Sequence, residues 1–279
     1  MKAILLVCLL SAVVAEEAIL KYHEQVGIPV AARIRQQESM RITGGYASYT
    51  GEHPFMAGLV ITLTTGDVSV CGGSLLSPYR VLTTARCWYD GYYQGRSVQV
   101  VLGSIKLFSG GTRVFATAIA NHPYFNPYTF ANDIAMLTVP YISYNSNVKP
   151  ILLPYGIGIS FEGYLSVVIG YGKTSDSASL NKGQSLRDNF VAVISNRDCN
   201  QIYGSTITGS VMCTSGAYGN GACPGDYGGP LIMRRYPRTN NQDLLIGLVS
   251  FTAAAGCQAG LPTGYTRVNS HIVWISSQL

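Results

Sequence analysis

Charge is scarce in this chain. Only 12% of its 279 residues are Asp, Glu, Lys or Arg, and the formal net charge is +5. From Ile42 onward, 14 basic and 10 acidic residues are scattered without forming a stripe. A nucleic-acid reader would gather its basic residues on one face, so no nucleic-acid partner is expected. The densest basic stretch, Arg234-Arg235-Tyr236-Pro237-Arg238, runs into TNNQD. Pro237 and that polar cluster mark a solvated hairpin tip rather than a binding patch.

Long hydrophobic runs are missing too. The stretch from Ile4 to Val14 has 11 residues, whereas a membrane-spanning helix needs roughly 20. With Lys2 before it and small residues at Val13 and Ala15, it has the layout of a signal peptide cut after Ala15. Residues 1–15 are therefore expected to direct secretion, to gut lumen or body fluid, with no membrane partner. The chain has no N-x-Ser/Thr sequon, so N-glycosylation is not expected. It also lacks a CxxC pair or close His–Cys cluster, and no metal or cofactor is expected.

Cysteine is present in an informative number. Cys8 lies in the leader, which leaves Cys71, Cys87, Cys199, Cys213, Cys223 and Cys257. An even set in an oxidising compartment reads as three disulfides. Spacing alone allows fifteen pairings and selects none.

The texture changes near Arg41. Residues 16–41, EEAILKYHEQVGIPVAARIRQQESMR, are mixed, charged, free of cysteine and without strand alternation. After them come short apolar runs between Gly, Pro, Ser and Asn clusters. They include residues 55–63, 80–85, 98–103, 133–139, 164–172, 189–194, 244–251 and 264–268. Rich in Val, Ile, Thr and aromatics, these predict strands of an all-β barrel or sandwich. Only the tail, residues 269–279, predicts a helix, capped by Asn269 or Ser270 and facing the core through Ile272, Trp274 and Ile275. No repeat or linker divides the chain.

Four segments occur in order: RITGG (41–45), TTARC (83–87), NDIAML (132–137) and CPGDYGGP (223–230). Together they resemble the chymotrypsin-family serine peptidases, whose triad runs His, Asp, Ser along the chain. The resemblance extends from Ile42 to the C-terminus. YHEQVGIP, VITLTTG (60–66) and VLGSIKLFSGGTR (101–113) look most like digestive chymotrypsins of moth and butterfly larvae. It implies two six-stranded antiparallel β-barrels with a short C-terminal helix. It also implies a propeptide over residues 16–41 and a protease domain over 42–279. Disulfides Cys71–Cys87, Cys199–Cys213 and Cys223–Cys257 are implied in the same way.

Carried over position by position, the triad is altered. Asp133 matches the aspartate, while Arg86 stands where the family has histidine and Tyr227 where it has serine. A guanidinium keeps its proton below about pH 12, so it cannot act as general base. It is expected instead to pair with Asp133, which would otherwise be a buried, uncompensated charge. The Tyr227 phenol would overshoot the Gly225 and Tyr227 amides, the oxyanion hole in the family. Histidines elsewhere offer no substitute base: His53 and His122 precede prolines and His271 is in the tail. Losing base or nucleophile costs on the order of 10⁶-fold in rate, so the expectation is that the chain is no enzyme.

Other family parts are implied by the same resemblance. Arg41–Ile42 looks like an activation bond, and Ile42 would then pair with Asp226. Gly221, six residues before Tyr227, lies at the floor of the specificity pocket and offers no acid for Lys or Arg. Ser250, Phe251, Thr252 and Thr263 lie on its walls, where the two threonines replace common glycines and narrow it. The chain is expected to act by binding protease inhibitors, active proteases or peptides. A family-assigned digestive endopeptidase and a regulator of an immune protease cascade are the alternatives, the latter weakened by the cysteine-free residues 16–41. The sequence leaves the oligomeric state open.

Overall fold

The structure is a computed structural model that describes residues 21–39, 48–173, 175 and 185–279. The expected signal peptide, Arg41 and Ile42 lie outside the described residues. The 16–41 segment is described from Lys21 to Ser39.

Among the described residues, short β-branched and aliphatic runs form thirteen strands in two units. The first contains β1 (Met56–Leu63), β2 (Val68–Ser77), β3 (Arg80–Thr83), β4 (Gly95–Leu102), β5 (Thr112–Phe115), β6 (Ala118–Asn121) and β7 (Ala135–Thr138). They make a seven-stranded antiparallel sheet ordered β5-β4-β1-β2-β3-β7-β6. This unit has one strand more than the six expected. The second unit is a closed barrel, β10-β13-β12-β11-β8-β9. Its strands are β8 (Leu165–Gly170), β9 (Arg187–Ile194), β10 (Val211–Thr214), β11 (Pro230–Tyr236), β12 (Gln242–Phe251) and β13 (Thr263–Arg267). The all-β, chymotrypsin-like expectation holds.

Alternation along β1 shows how the pattern builds the core. Leu59, Ile61 and Leu63 are buried in one cluster, while Val60 packs from the opposite face against another. Each such burial contributes about 2 kcal/mol. The two units meet closely at glycine. A Cβ on Gly72 of β2 would lie 2.7 Å from the Cα of Gly229. Gly72 also donates its N–H to the Tyr227 carbonyl at 2.7 Å, which fixes the 225–229 loop against the first unit.

Among the described residues, three α-helices accompany the strands. The first, α1 (Ile28–Ser39), follows a π-helical turn at His23–Gly27, in a segment for which the sequence predicted no element. The second, α2 (Asn196–Tyr203), is capped by Ser195, whose hydroxyl accepts from the Asp198 N–H at 3.0 Å. The third, α3 (Ile272–Gln278), is the expected tail helix, with Ile275 buried and Trp274 packed on the core. Its expected cap is not there. His271 holds the N-cap position without a side-chain bond, and Asn269 instead donates to the Ile157 carbonyl at 2.7 Å.

The basic stretch at 234–238 is the β11–β12 hairpin. A 3-10 turn at Pro237–Thr239 leads into Asn240 and Asn241, both at positive φ (51° and 59°). Asparagine tolerates that left-handed region better than most residues.

Candidate functional site

Arg86 lies on a 3-10 turn, Ala85–Cys87, immediately after β3. A disulfide from Cys87 to Cys71 on β2 holds this turn at a Cα separation of 6.2 Å. Asp133 sits in the connection before β7 and is fully buried. The Arg86 Nε donates to Asp133 Oδ2 at 2.8 Å, and the Arg86 backbone N–H donates to Oδ1 at 2.9 Å. The Ser250 hydroxyl adds a third bond, to Oδ2, at 2.7 Å. Thr266 secures the backbone by donating to the Asp133 carbonyl at 2.7 Å. With three donors and a counter-charge, the carboxylate is fully compensated.

The guanidinium is also packed between rings. Its Cζ lies 4.1 Å from the centroid of Phe130 and 5.8 Å from that of Tyr227. Its Nη2 is buried and has no hydrogen-bond partner among the described residues. Chemically, Arg86 supplies a fixed cation, an anchor for Asp133 and a buried Nη2 group whose two N–H donors are uncommitted among the described residues.

Tyr227 is buried, and its hydroxyl is 2.9 Å from the Thr252 Oγ1. Burial raises the phenol pKa, and the Thr252 hydrogen bond and the Arg86 charge only partly oppose it. The phenol is therefore protonated at neutral pH. Its hydroxyl points to the Thr252 side chain, which joins two residues that the sequence assigned to different parts of the site.

The remaining positions fall around this cluster. Gly225 has φ +104°, and a Cβ there would meet Val30 Cγ1 of α1 at 2.8 Å. A Cβ on Gly221 would lie 2.8 Å from Thr263 Oγ1, which accepts from the Ala222 N–H at 3.3 Å. Phe251 is packed between Phe130 and Tyr203, at centroid distances of 5.9 and 5.2 Å. Asp226 accepts from the Gly172 N–H at 2.7 Å and the Cys223 N–H at 2.8 Å. Burial lifts its pKa to about 6 against the pull of those two bonds. Its expected partner, Ile42, is outside the described residues. The other two disulfides join Cys199 to Cys213 and Cys223 to Cys257.

The histidines are engaged elsewhere. His53 Nε2 is 3.2 Å from Asp188 Oδ2, and burial lowers its pKa although Asp188 and Glu52 oppose that. With Glu52 these two form the one group of three possible metal ligands among the described residues, their atoms within 4.8 Å of one another. The imidazole–carboxylate contact engages Nε2 only, and Nδ1 is buried with no hydrogen-bond partner among the described residues. His271 Nδ1 meets the Arg267 carbonyl at 2.9 Å, and His122 Nδ1 accepts from the Tyr124 N–H at 3.3 Å.

Tyr22, His23 and Val30 also reach this face, and the sequence reading missed them. The Tyr22 ring lies 4.7 Å from the Tyr227 ring, and His23 Nδ1 is 2.8 Å from Ser69 Oγ on β2. The available signal was helical spacing. Residues 23, 27, 30, 31, 34 and 37 are buried along one side.

Comparison with known proteins agrees with this architecture. Residues 42–275 match the Trypsin family profile. A collagenase of Hypoderma lineatum is 37% identical over 247 residues, covering 88% of this chain and 89% of that protein. A solved HL collagenase structure superimposes with a TM-score of 0.75 at 37% identity, covering 85% of this chain and 98% of that one. Glucanase inhibitor protein 3 of Phytophthora infestans is 32% identical over 249 residues, covering 89% of this chain and 92% of that protein. The expectation that the chain is no enzyme is corrected by these findings. A relative similar over nearly the whole chain is named for an enzymatic activity. By sequence and by fold, the chain belongs to the trypsin family of chymotrypsin-like serine proteases.

Proposed function

We propose that this trypsin-family protein is secreted and binds a ligand of the protease system at the face around Arg86 and Tyr227. The ligand class is a protease inhibitor, a protease or a peptide. The Arg86–Asp133 pair carries the reading. It fixes a cation beside two rings and leaves Nη2 with unused donors. Arg86 and Tyr227 are both buried, so a ligand's carbonyl or carboxylate oxygens reach this guanidinium once the residues covering it are displaced. Glucanase inhibitor protein 3, a similar chain, is named for acting on another enzyme, which supports binding as a use of this fold. Three disulfides support an extracellular setting.

The test is a titration. The protein is added to active chymotrypsin held by a stoichiometric protein inhibitor, and recovered chymotrypsin activity is measured. Recovery in proportion to added protein is expected, and Arg86→Met should reduce it at least about tenfold. No recovery at any concentration would sink the decoy form of this reading.

A second reading, a digestive endopeptidase, is favoured by the family match and the collagenase relative. Its signature would be hydrolysis of a chromogenic peptide that co-purifies with the chain and disappears in Tyr227→Phe. The third, a regulator of an immune protease cascade, has no observation in its favour at this site.

A further inference from the structure

Residues 22–39 cross the face just described and are held there at both ends. At the first end, Tyr22 is 2% exposed, and its hydroxyl donates to the Val70 carbonyl of β2. The His23 N–H donates to Asp90 Oδ2 at 2.8 Å, and its ring meets Ser69. At the other end, Glu38 accepts from the Leu107 and Phe108 N–H groups and from the Ser109 hydroxyl. Between these clamps, Val30, Ala31 and Ile34 are buried in the same cluster as Met56, Val70, Leu107 and Ile169.

The approach is close as well as apolar. A Cβ at Gly27 would fall 1.9 Å from Ser69 Oγ, so glycine is what lets the π-helical turn lie on β2. A Cβ on Gly225 would collide with Val30, and Tyr22 lies on Tyr227. The segment contains no cysteine, so no disulfide ties it to the barrel. Lined by backbone donors and acceptors on β2 and the 107–109 loop, the face has the features of a helix-accepting groove: an aromatic anchor, a small-residue approach, an apolar floor and a carboxylate clamp.

We propose that this groove is a binding site for a tyrosine-anchored peptide helix, and that residues 22–39 are its resident, displaceable occupant. The inference rests on the binding reading above and adds to it the class of ligand. A peptide that fits carries a tyrosine at its N-terminal end and small or branched apolar residues on one helical face. It carries a carboxylate sixteen positions after the tyrosine, as Tyr22 and Glu38 are placed here.

The probe is a fluorescein-labelled peptide of residues 21–39, added to the full chain carrying Gly27→Leu and Ile34→Asp, which evict the resident segment. Anisotropy should report saturable binding to this variant. Binding of the peptide to the unaltered chain should be at least about tenfold weaker, because the groove there is filled. A probe with Tyr22→Ala should lose about tenfold or more in affinity for the variant. If the probe fails to bind while the variant melts cooperatively, or binds both chains equally, the proposal falls.

Should the double variant not fold, Glu38→Gln provides the reading. It removes one clamp and leaves the apolar contacts. Amides of residues 28–37 should then exchange at least about tenfold faster than in the unaltered chain, with β12 unchanged. Equal exchange would overturn the proposal. Recovery of chymotrypsin from its inhibitor, measured on the same samples, separates the two ideas. Peptide binding without recovery leaves the groove and removes the inhibitor reading. Recovery without peptide binding does the reverse.

Discussion

Tyr22 lies against Tyr227, their ring centroids 4.7 Å apart and their planes tilted by 51°. The contact joins an N-terminal segment to the loop that carries the family's nucleophile position. It closes a chain of rings and charge that runs from Tyr22 through Tyr227 to Arg86 and Asp133.

Tyr22 should govern whether the segment stays seated. Its burial and ring contact contribute about 2 kcal/mol. Tyr22→Ala should open the segment locally by about thirtyfold, while the barrels, whose strands pair without it, stay folded. Tryptic cleavage after Arg33 and Arg35 should accelerate by that factor, with little change in thermal unfolding. Cleavage at the unaltered rate would show that Tyr22 does not hold the segment.

Acid should release the same segment. Burial of His23 lowers its pKa to about 4. The Asp90 carboxylate and the Arg86 carbonyl oppose this, the Arg86 charge adds to it, and Ser69 meets the ring. The seated imidazole binds its proton less readily than a free one near 6.5. Seating is therefore complete above about pH 6.5 and weakens as pH falls towards 4, by up to about tenfold per unit. Segment exchange measured from pH 7 to 4.5 should show that slope, and His23→Gln should flatten it. The same slope in both proteins would exclude His23 as its origin.

Asp226 should act in the opposite direction on the whole fold. Its carboxyl titrates at about 6 in the folded chain, and near 4 when unfolded. Between these values the folded state binds more protons, so stability falls as pH rises through that window, by on the order of 3 kcal/mol. Urea midpoints in the His23→Gln background should decline from pH 4 to 6 and then level off. A rising midpoint would contradict this assignment.

Removing the Arg86 charge should be costly. Arg86→Met leaves Asp133 buried with only the Ser250 and backbone donors, a loss of about 3–5 kcal/mol in urea unfolding. Adding Asp133→Asn should recover part of that loss, because no unpaired charge then remains. Equal stability of Arg86→Met and the original chain would mean that Asp133 is compensated without Arg86.

Much of the fold was legible because its signals are local. The runs at 55–63, 98–103 and 244–251 carry their own β-branched pattern and correspond to β1, β4 and β12. Other strands were hidden by residues chosen for long-range contact. In β2, Gly72 and Gly73 interrupt the apolar run, and Gly72 is small because Gly229 passes beside it. Strand β11 opens on Pro230, which reads as a loop.

The residue chemistry follows from the order of amino acids alone: an arginine where the family has its base, a tyrosine where it has its nucleophile, six cysteines beyond Cys8 and an alternating β pattern. Tertiary packing decided where those side chains point. Arg86 turns to Asp133 because a buried carboxylate needs a counter-charge, and the Tyr227 hydroxyl turns to Thr252 because a buried phenol needs a partner. It also decided the seat of residues 22–39. Their apolar side chains recur at helical spacing, but they form a buried face only when β2 and the 107–109 loop are there to cover it.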